Sequence, residues 1–301
     1  QSSSELQRES RLRSLVLYGA FAASGATSLA YQIAWTRAVT MVIGMSTYAF
    51  TTIVGAFIMG VALGSALFGR LADRTGRAVG LLTGSLAVVG LVGPLSPWLL
   101  GRLPVWFVEI VYSDPAATSF ALKQVLVFGL LFALLLVPTV LFGGAFPLVG
   151  RALAGSRSDG GRLASIVGRA YAANTVGSIV GSIACGFVLI PMLSIEGALR
   201  VAGGLSLLAS LLLAGIVLRA SPGRRALVVG LVLVSGVVAL GRGPSWSPAI
   251  MGSGAYLYGP VYMREARRTH RDLEAVIDQQ VVSLHYTLRT ADGTVLDSSL
   301  E

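Results

Sequence analysis

Long runs of uncharged, mostly apolar residues alternate with short polar segments along the chain. They occupy 14–36, 38–69, 78–101, 124–150, 170–195, 201–218 and 226–241. A helix that crosses a lipid bilayer needs about 20 such residues, so the pattern predicts about seven transmembrane helices. The second run is longer than one crossing requires at about 1.5 Å per residue. We therefore expect a break near Gly44–Ser46, with a short interfacial piece before it and a span from about 47 to 69 after it.

Positive charge is concentrated in alternate segments between these runs. The arginines of those segments are Arg8, Arg11, Arg13, Arg70, Arg74, Arg77, Arg151, Arg157, Arg162, Arg169, Arg219, Arg224 and Arg225. Because cytoplasmic loops hold an excess of Lys and Arg, we expect the N-terminus in the cytoplasm and the tail outside the inner (cytoplasmic) membrane of a bacterium. If the run at 226–241 does not span, the tail moves to the cytoplasm.

Composition agrees with a membrane location. The chain is 54% hydrophobic and 12% charged, whereas an average soluble domain is about 25% charged. The net charge of +9 comes mainly from the arginines of these segments. Those arginines form no nucleic-acid-binding motif. The two histidines and single cysteine have no metal-ligand spacing. We therefore expect no nucleic acid, metal or cofactor, and we expect the partners to be the lipid bilayer and other membrane protein subunits.

Glycines recur four residues apart in two of the runs, as Gly60 and Gly64 and as Gly177 and Gly181. In lipid, this spacing lets helix backbones approach closely. We interpret the four glycines as helix-packing positions, with a helix-swivel or dimer face as the alternative.

Two features of the bundle resemble known families. The segment GRLADRTGR (69–77) is similar to the loop between helices two and three of major facilitator transporters, through Gly69, Asp73, Arg74, Gly76 and Arg77. The stretches 24–65, 169–191 and 245–267 resemble, in order, the membrane-embedded spermidine-synthase-like family. That resemblance implies that the first six helices are major-facilitator-like and that an aminopropyltransferase-like domain follows. The chain after Ile277 lacks the Gly-rich turn and acidic residues of such a domain, so we expect no aminopropyl transfer.

The tail at 278–301 has the period of β-strands. Residues 281–288 alternate, Asp292 and Gly293 suit a hairpin turn, and a return strand begins at Val295. The stretch HYTLRTADGTVLDSS resembles the opening hairpin of an FKBP-type peptidyl-prolyl isomerase, in which Tyr286 and Asp297 match the pocket tyrosine and aspartate. A two-stranded hairpin is marginal alone in water, so we expect the chain to continue past Glu301.

The sequence thus predicts an all-α polytopic membrane protein with a short C-terminal β-hairpin. Its expected parts are a cytoplasmic tail, a transmembrane bundle, an extracytoplasmic interfacial segment with a helix, and the truncated start of an FKBP-like domain. These parts are 1–13, 14–241, 242–277 and 278–301.

Three functions fit this organisation. The leading hypothesis is a membrane anchor or scaffold, as an accessory subunit of a larger complex or the anchor of an extracytoplasmic module, because the chain carries no complete catalytic site. The first alternative is a membrane-tethered FKBP-type isomerase whose remaining domain lies beyond Glu301, and only then would the protein be an enzyme. The second is a transporter of a small, amine-like solute, with a central cavity lined by Gln32, Thr52, Gln124 or Asn174.

Overall fold

The computed structural model describes residues 3–112, 119–154, 160–218, 220–283, 287–289 and 295–298. The helices of this part are α1 (Ser3–Ile43), α2 (Thr47–Thr75), α3 (Ala78–Leu100), α4 (Leu103–Tyr112), α5 (Phe120–Ala154), α6 (Gly160–Ala184), α7 (Ile190–Leu212), α8 (Pro222–Arg242), α9 (Pro248–Met251), α10 (Ala255–Thr269) and α11 (Leu273–Ser283). Short π-helical turns follow α6 and α7, at Cys185–Leu189 and Leu213–Val217. Two short strands, β1 (Thr287–Arg289) and β2 (Val295–Ser298), pair antiparallel.

Within the described part of the chain, five segments are long and apolar enough to cross a membrane. They are Thr47–Thr75, Ala78–Leu100, Phe120–Ala154, Ala164–Val217 and Pro222–Arg242. The prediction of a polytopic helical membrane protein is therefore confirmed. The first predicted run lies within α1, which is not one of the five, and Ala164–Val217 covers two predicted runs. The number of spans stays a prediction.

Contacts between helices give their relative directions. Gly177 and Gly181 of α6 lie against Ala22 and Ala26 of α1, so α1 and α6 are parallel. Tyr31 and Trp35 of α1 hydrogen-bond to Val89 and Ser96 of α3, so α1 and α3 are also parallel.

Helix α7 runs in the opposite direction to α6. Ser206 and Ser210 of α7 donate hydrogen bonds to the carbonyl oxygens of Leu86 and Thr83 of α3, so α7 is antiparallel to α3. The reversal occurs at Ser194, whose backbone is non-helical (φ 65°, ψ 175°). The long apolar segment Ala164–Val217 therefore doubles back on itself.

The remaining helices follow the same up-and-down order. Tyr31 and Phe21 of α1 contact Phe142 and Phe146 of α5, so α5 is antiparallel to α1. Gly60 and Gly64 of α2 lie against Thr139 and Val140 of α5, which makes α2 parallel to α5. Consecutive long helices of the bundle consequently alternate in direction.

Helices α1–α3 and α5–α7 form an inverted repeat. The sequence pattern G-x-x-x-G-S-x-x-x-G occurs at 60–69 on α2 and again at 177–186, which runs from α6 into the π-helical turn that follows it. Each copy packs on the first helix of the other triplet, α2 on α5 and α6 on α1. The two triplets meet where α3 crosses α7: a Cβ built on Gly90 would lie 2.9 Å from the carbonyl oxygen of Gly203, and one on Gly203 would lie 2.6 Å from that of Gly90. Repeats of inverted topology are a construction of secondary transporters.

The centre of the bundle is filled with aromatic side chains. Tyr31 and Trp35 are almost completely buried, and their ring centroids lie 4.9 Å apart. Phe142 lies 5.9 Å from the Tyr31 ring and 6.5 Å from the ring of Phe57. The core is therefore packed rather than hollow at this level.

The predicted break at Gly44–Ser46 is confirmed, but the predicted interfacial piece before it is wrong. Residues 38–43 continue α1 to Ile43, and Gly44 then reverses the chain with φ 82°. Ser46 caps α2 by accepting a hydrogen bond from the Ala49 backbone N–H at 3.1 Å. Helix α2 also extends beyond the expected end at 69, to Thr75, where Gly76 (φ 60°) ends it.

Substituting Gly64 with alanine should destabilise the bundle by about 1–3 kcal/mol, the usual cost of overpacking. A Cβ at this position would collide with the backbone of Val140, which cannot move without separating α2 from α5. The matched control is Gly129→Ala, because nothing lies within 4 Å of a Cβ built there. Unfolding can be followed with a thiol-reactive dye, since the single cysteine, Cys185, is buried. Equal melting temperatures for the two variants would contradict the proposed backbone contact.

Candidate functional site

The helices that follow the bundle fold back onto the end where α1 finishes. Together with α4 they form a layer that we call the cap, consisting of α4, α9, α10 and α11. Tyr256 of α10 packs on Gly44, and the Tyr112 hydroxyl of α4 donates a hydrogen bond to the Tyr256 carbonyl oxygen at 2.9 Å. Gly259 lies directly against the Tyr112 ring. The cap is thus continuous with the bundle.

Tyr262 is the central side chain of the cap. It is 1% exposed, and its hydroxyl donates a hydrogen bond to the Ser253 carbonyl oxygen at 2.6 Å. Burial, with the neighbouring Tyr258 as a smaller cause, raises the pKa of Tyr262 above its ordinary value. Val276 and Ile277 of α11 are buried in the same apolar core, which extends without interruption to Trp35 and Val39 of α1.

Two charged side chains at the start of α7 hold the chain that leads into the cap. The Glu196 carboxylate accepts a hydrogen bond from the Trp246 backbone N–H at 2.9 Å, and the Arg200 guanidinium donates one to the Gly243 carbonyl oxygen at 3.2 Å. Neither residue was predicted as functional from the sequence. The available signal was their spacing of four residues, directly after the reversal at Ser194.

At the opposite end of the bundle lies a cavity of about 1060 Å³. Its basic side chains come from the N-terminal part of α1, the α2–α3 turn, the end of α5 and the start of α8: Arg13, Arg77, Arg151 and Arg224. We call it the arginine cavity. Arginines from four separate segments therefore share one end of the bundle, as the charge pattern predicted. Which side of the membrane this end faces stays a prediction.

The segment 69–77, which belongs to α2 as far as Thr75, lies beside this cavity. Gly69 sits on α2 near Pro147 of α5, and Arg77 precedes α3 on the cavity wall. The Asp73 carboxylate lies 3.9 Å from the Arg151 Nε, and 78% of its side chain is exposed. An exposed pair at this distance contributes less than about 1 kcal/mol. Arg74, in the last turn of α2, is exposed.

The polar residues proposed for a transport pathway line neither of the two cavities described here. The Asn174 amide donates a hydrogen bond to the Phe21 carbonyl oxygen at 3.4 Å, between α6 and α1. Gln32, Thr52 and Gln124 contribute to neither the arginine cavity nor a second cavity of about 500 Å³. That second cavity lies beneath α4 and is lined by apolar residues and Glu109.

The predicted isomerase positions lie in the tail. Tyr286 is outside the described residues. Asp297 is on β2, opposite Leu288 of β1. Elsewhere, among the residues that the structure describes, no three His, Cys, Asp or Glu side chains are grouped to hold a metal ion.

Comparisons with known proteins add no family: no family model, no curated protein and no solved structure gives a significant match to the chain.

Substituting Tyr262 with phenylalanine should weaken cap docking by about 1 kcal/mol, the contribution of one hydrogen bond. It should also reduce the dependence of cap docking on pH. Because the pKa of Tyr262 is raised in the folded protein, its contribution to stability is present below its ordinary pKa of 10.0 and is lost as the pH rises through the higher folded value. Limited proteolysis of the cap between pH 8 and pH 11 measures both effects, and Tyr171→Phe, at an exposed tyrosine of α6, is the control. An unchanged pH profile in Tyr262→Phe would rule out this assignment.

Proposed function

We propose that the protein is a membrane scaffold, in which the bundle anchors the cap and fixes its orientation outside the inner membrane of a bacterium. The observation that carries this proposal is the docking of the cap. One apolar core runs from α1 into α11, and Tyr262 is buried within it. An unattached surface helix would keep its freedom of orientation, whereas this arrangement presents the outer face of α10 and the following segment at a defined position.

The interior of the bundle supports a structural role. Short polar side chains inside it donate hydrogen bonds to backbone carbonyl oxygens of neighbouring helices, as Thr27 does to Ala202 and Ser206 to Leu86. A solute pathway would need such groups facing a cavity. The aromatic side chains of Tyr31, Trp35 and Phe142 occupy the centre instead.

The inverted repeat favours a second candidate, a transporter of a small solute. Six helices with this symmetry resemble one half of a major facilitator. A pathway would then lie between the exposed apolar surface of this bundle and another protein or a second copy, because the centre of the bundle is filled. If the protein is instead an accessory subunit of a larger membrane complex, the same lipid-facing surfaces would contact the other subunits.

The third candidate is a membrane-tethered peptidyl-prolyl isomerase. Its support is the resemblance around Tyr286 and Asp297, together with the antiparallel pairing of β1 and β2. The scaffold would then hold the isomerase domain close to the membrane surface, so this candidate and the leading proposal share one architecture.

Site-specific photo-crosslinking in native membranes distinguishes an extracytoplasmic partner from a membrane-embedded one. A benzophenone amino acid at Arg264 or Arg268 samples the exposed face of α10, and one at Phe187 or Val237 samples lipid-facing positions that are 81% and 70% exposed. A scaffold for an outer module predicts one discrete product from the cap positions. An accessory membrane subunit predicts it from the lipid-facing positions.

The product from the cap should depend on cap docking. Gly259→Leu would collide with the Tyr112 ring and is expected to reduce that product several-fold, whereas Gly241→Leu has open space around it and should leave it unchanged. Recovery of uncrosslinked monomer from all four probe positions would contradict the scaffold proposal.

A further inference from the structure

The arginine cavity concentrates positive charge beyond what membrane orientation requires. Arg13, Arg77, Arg151 and Arg224 line it, and Glu9 is the one carboxylate among the described lining residues. Glu9 already pairs with the Nη2 of Arg13 at 2.9 Å, and the Nε of Arg13 is buried without a hydrogen-bond partner in the protein. Orientation depends only on how many arginines each loop carries. Four arginines from separate segments line one cavity, with Asp73 3.9 Å from the Nε of Arg151, and this excess of positive charge suits an anion.

Two helix N-termini add to the positive potential. Arg77 precedes α3 and Ser221 precedes α8, and neither side chain caps its helix. The first N–H groups of a helix have no partners within the helix, and its dipole favours negative charge at that end. Ala78, Val79 and Gly80 at the start of α3 line the cavity wall itself. Guanidinium groups beside free backbone N–H groups suit the oxygens of a phosphate group.

The rest of the cavity is apolar. Leu17 of α1, Val217 after α7 and Val228 of α8 line it away from the arginines. Gly84 of α3 also lines it, and nothing lies within 4 Å of a Cβ built at that position. At about 1060 Å³, the cavity is large enough for a headgroup together with the first part of an acyl chain.

We propose that the arginine cavity binds an anionic phospholipid, with its phosphate group among the four arginines and an acyl chain along the wall formed by Gly84 and Val228. The bound lipid bridges α1, α3, α5 and α8 at the end of the bundle opposite the cap. Basic pockets between transmembrane helices bind anionic headgroups in the same manner. Inorganic phosphate shares the headgroup chemistry and is the other source of such a group.

The first test is binding of phosphatidylglycerol to the delipidated full chain, measured by native mass spectrometry. The double substitution Arg77→Gln with Arg224→Gln should weaken binding roughly 25-fold, at about fivefold for each arginine near an anionic lipid. The matched control, Arg264→Gln with Arg268→Gln, removes the same charge from the cap and should have no effect. The pair Arg77→Lys with Arg224→Lys should retain most of the binding and shows that the site is still folded.

A second variant separates a lipid from free phosphate. Gly84→Leu fills the apolar part of the cavity and leaves every arginine in place, so phosphatidylglycerol binding should fall at least tenfold while competition by inorganic phosphate is unchanged. If Gly84→Leu leaves phosphatidylglycerol binding intact and inorganic phosphate displaces it fully, the site takes a soluble phosphate and the lipid assignment is overturned. Equal binding of phosphatidylglycerol and phosphatidylcholine, or no loss in the glutamine pair, would overturn the proposal altogether.

Discussion

In a bilayer, where lipid tails are as apolar as leucine, helices gain little by hiding apolar surface from one another. The pairs α1–α6 and α2–α5 are instead held by direct backbone contact. Because Gly64 and Gly177 have no Cβ, the neighbouring helix can approach closely. The carbonyl oxygens of Val140 and Ala22 occupy the space that a Cβ would fill. Dispersion contacts and weak Cα–H···O hydrogen bonds form along such a surface. The remaining features of the bundle depend on this closeness.

Close backbones also determine what the polar side chains do. Serine and threonine reach only a short distance, so Ser210 can reach the Thr83 carbonyl oxygen of the next helix only because α3 and α7 cross at Gly90 and Gly203. Each of these hydrogen bonds gives a buried hydroxyl group a partner inside the bundle, where no water is available. A bundle built this way is closely packed at its centre, which is consistent with the proposed scaffold role.

The membrane class and the break after α1 could be predicted because both depend on local signals, namely run length and the turn residues Gly44 and Ser46. The prediction for residues 38–43 was wrong, since hydropathy does not distinguish a continuing helix from an interfacial one. The residue at which the chain reverses, Ser194, was not predicted, because no Gly or Asn in the sequence indicates a positive φ there. Glu196 and Arg200 were missed because their partners, Trp246 and Gly243, lie 50 and 43 residues away along the chain. The repeat of G-x-x-x-G-S-x-x-x-G was visible in the sequence, but only the fold shows that each copy meets the other triplet.

The pairing of each triplet with the other has a consequence for biosynthesis. Helix α2 packs chiefly on α5 and α1 on α6, so Gly60 precedes its contact Thr139 by 79 residues and Ala22 precedes Gly177 by 155. At roughly 5–20 residues per second, the ribosome takes on the order of ten seconds to supply these partners. During that interval the glycine face of α2 has no α5 to pack against. The contacts that hold the bundle together can therefore form only late in synthesis, after the second triplet has been made.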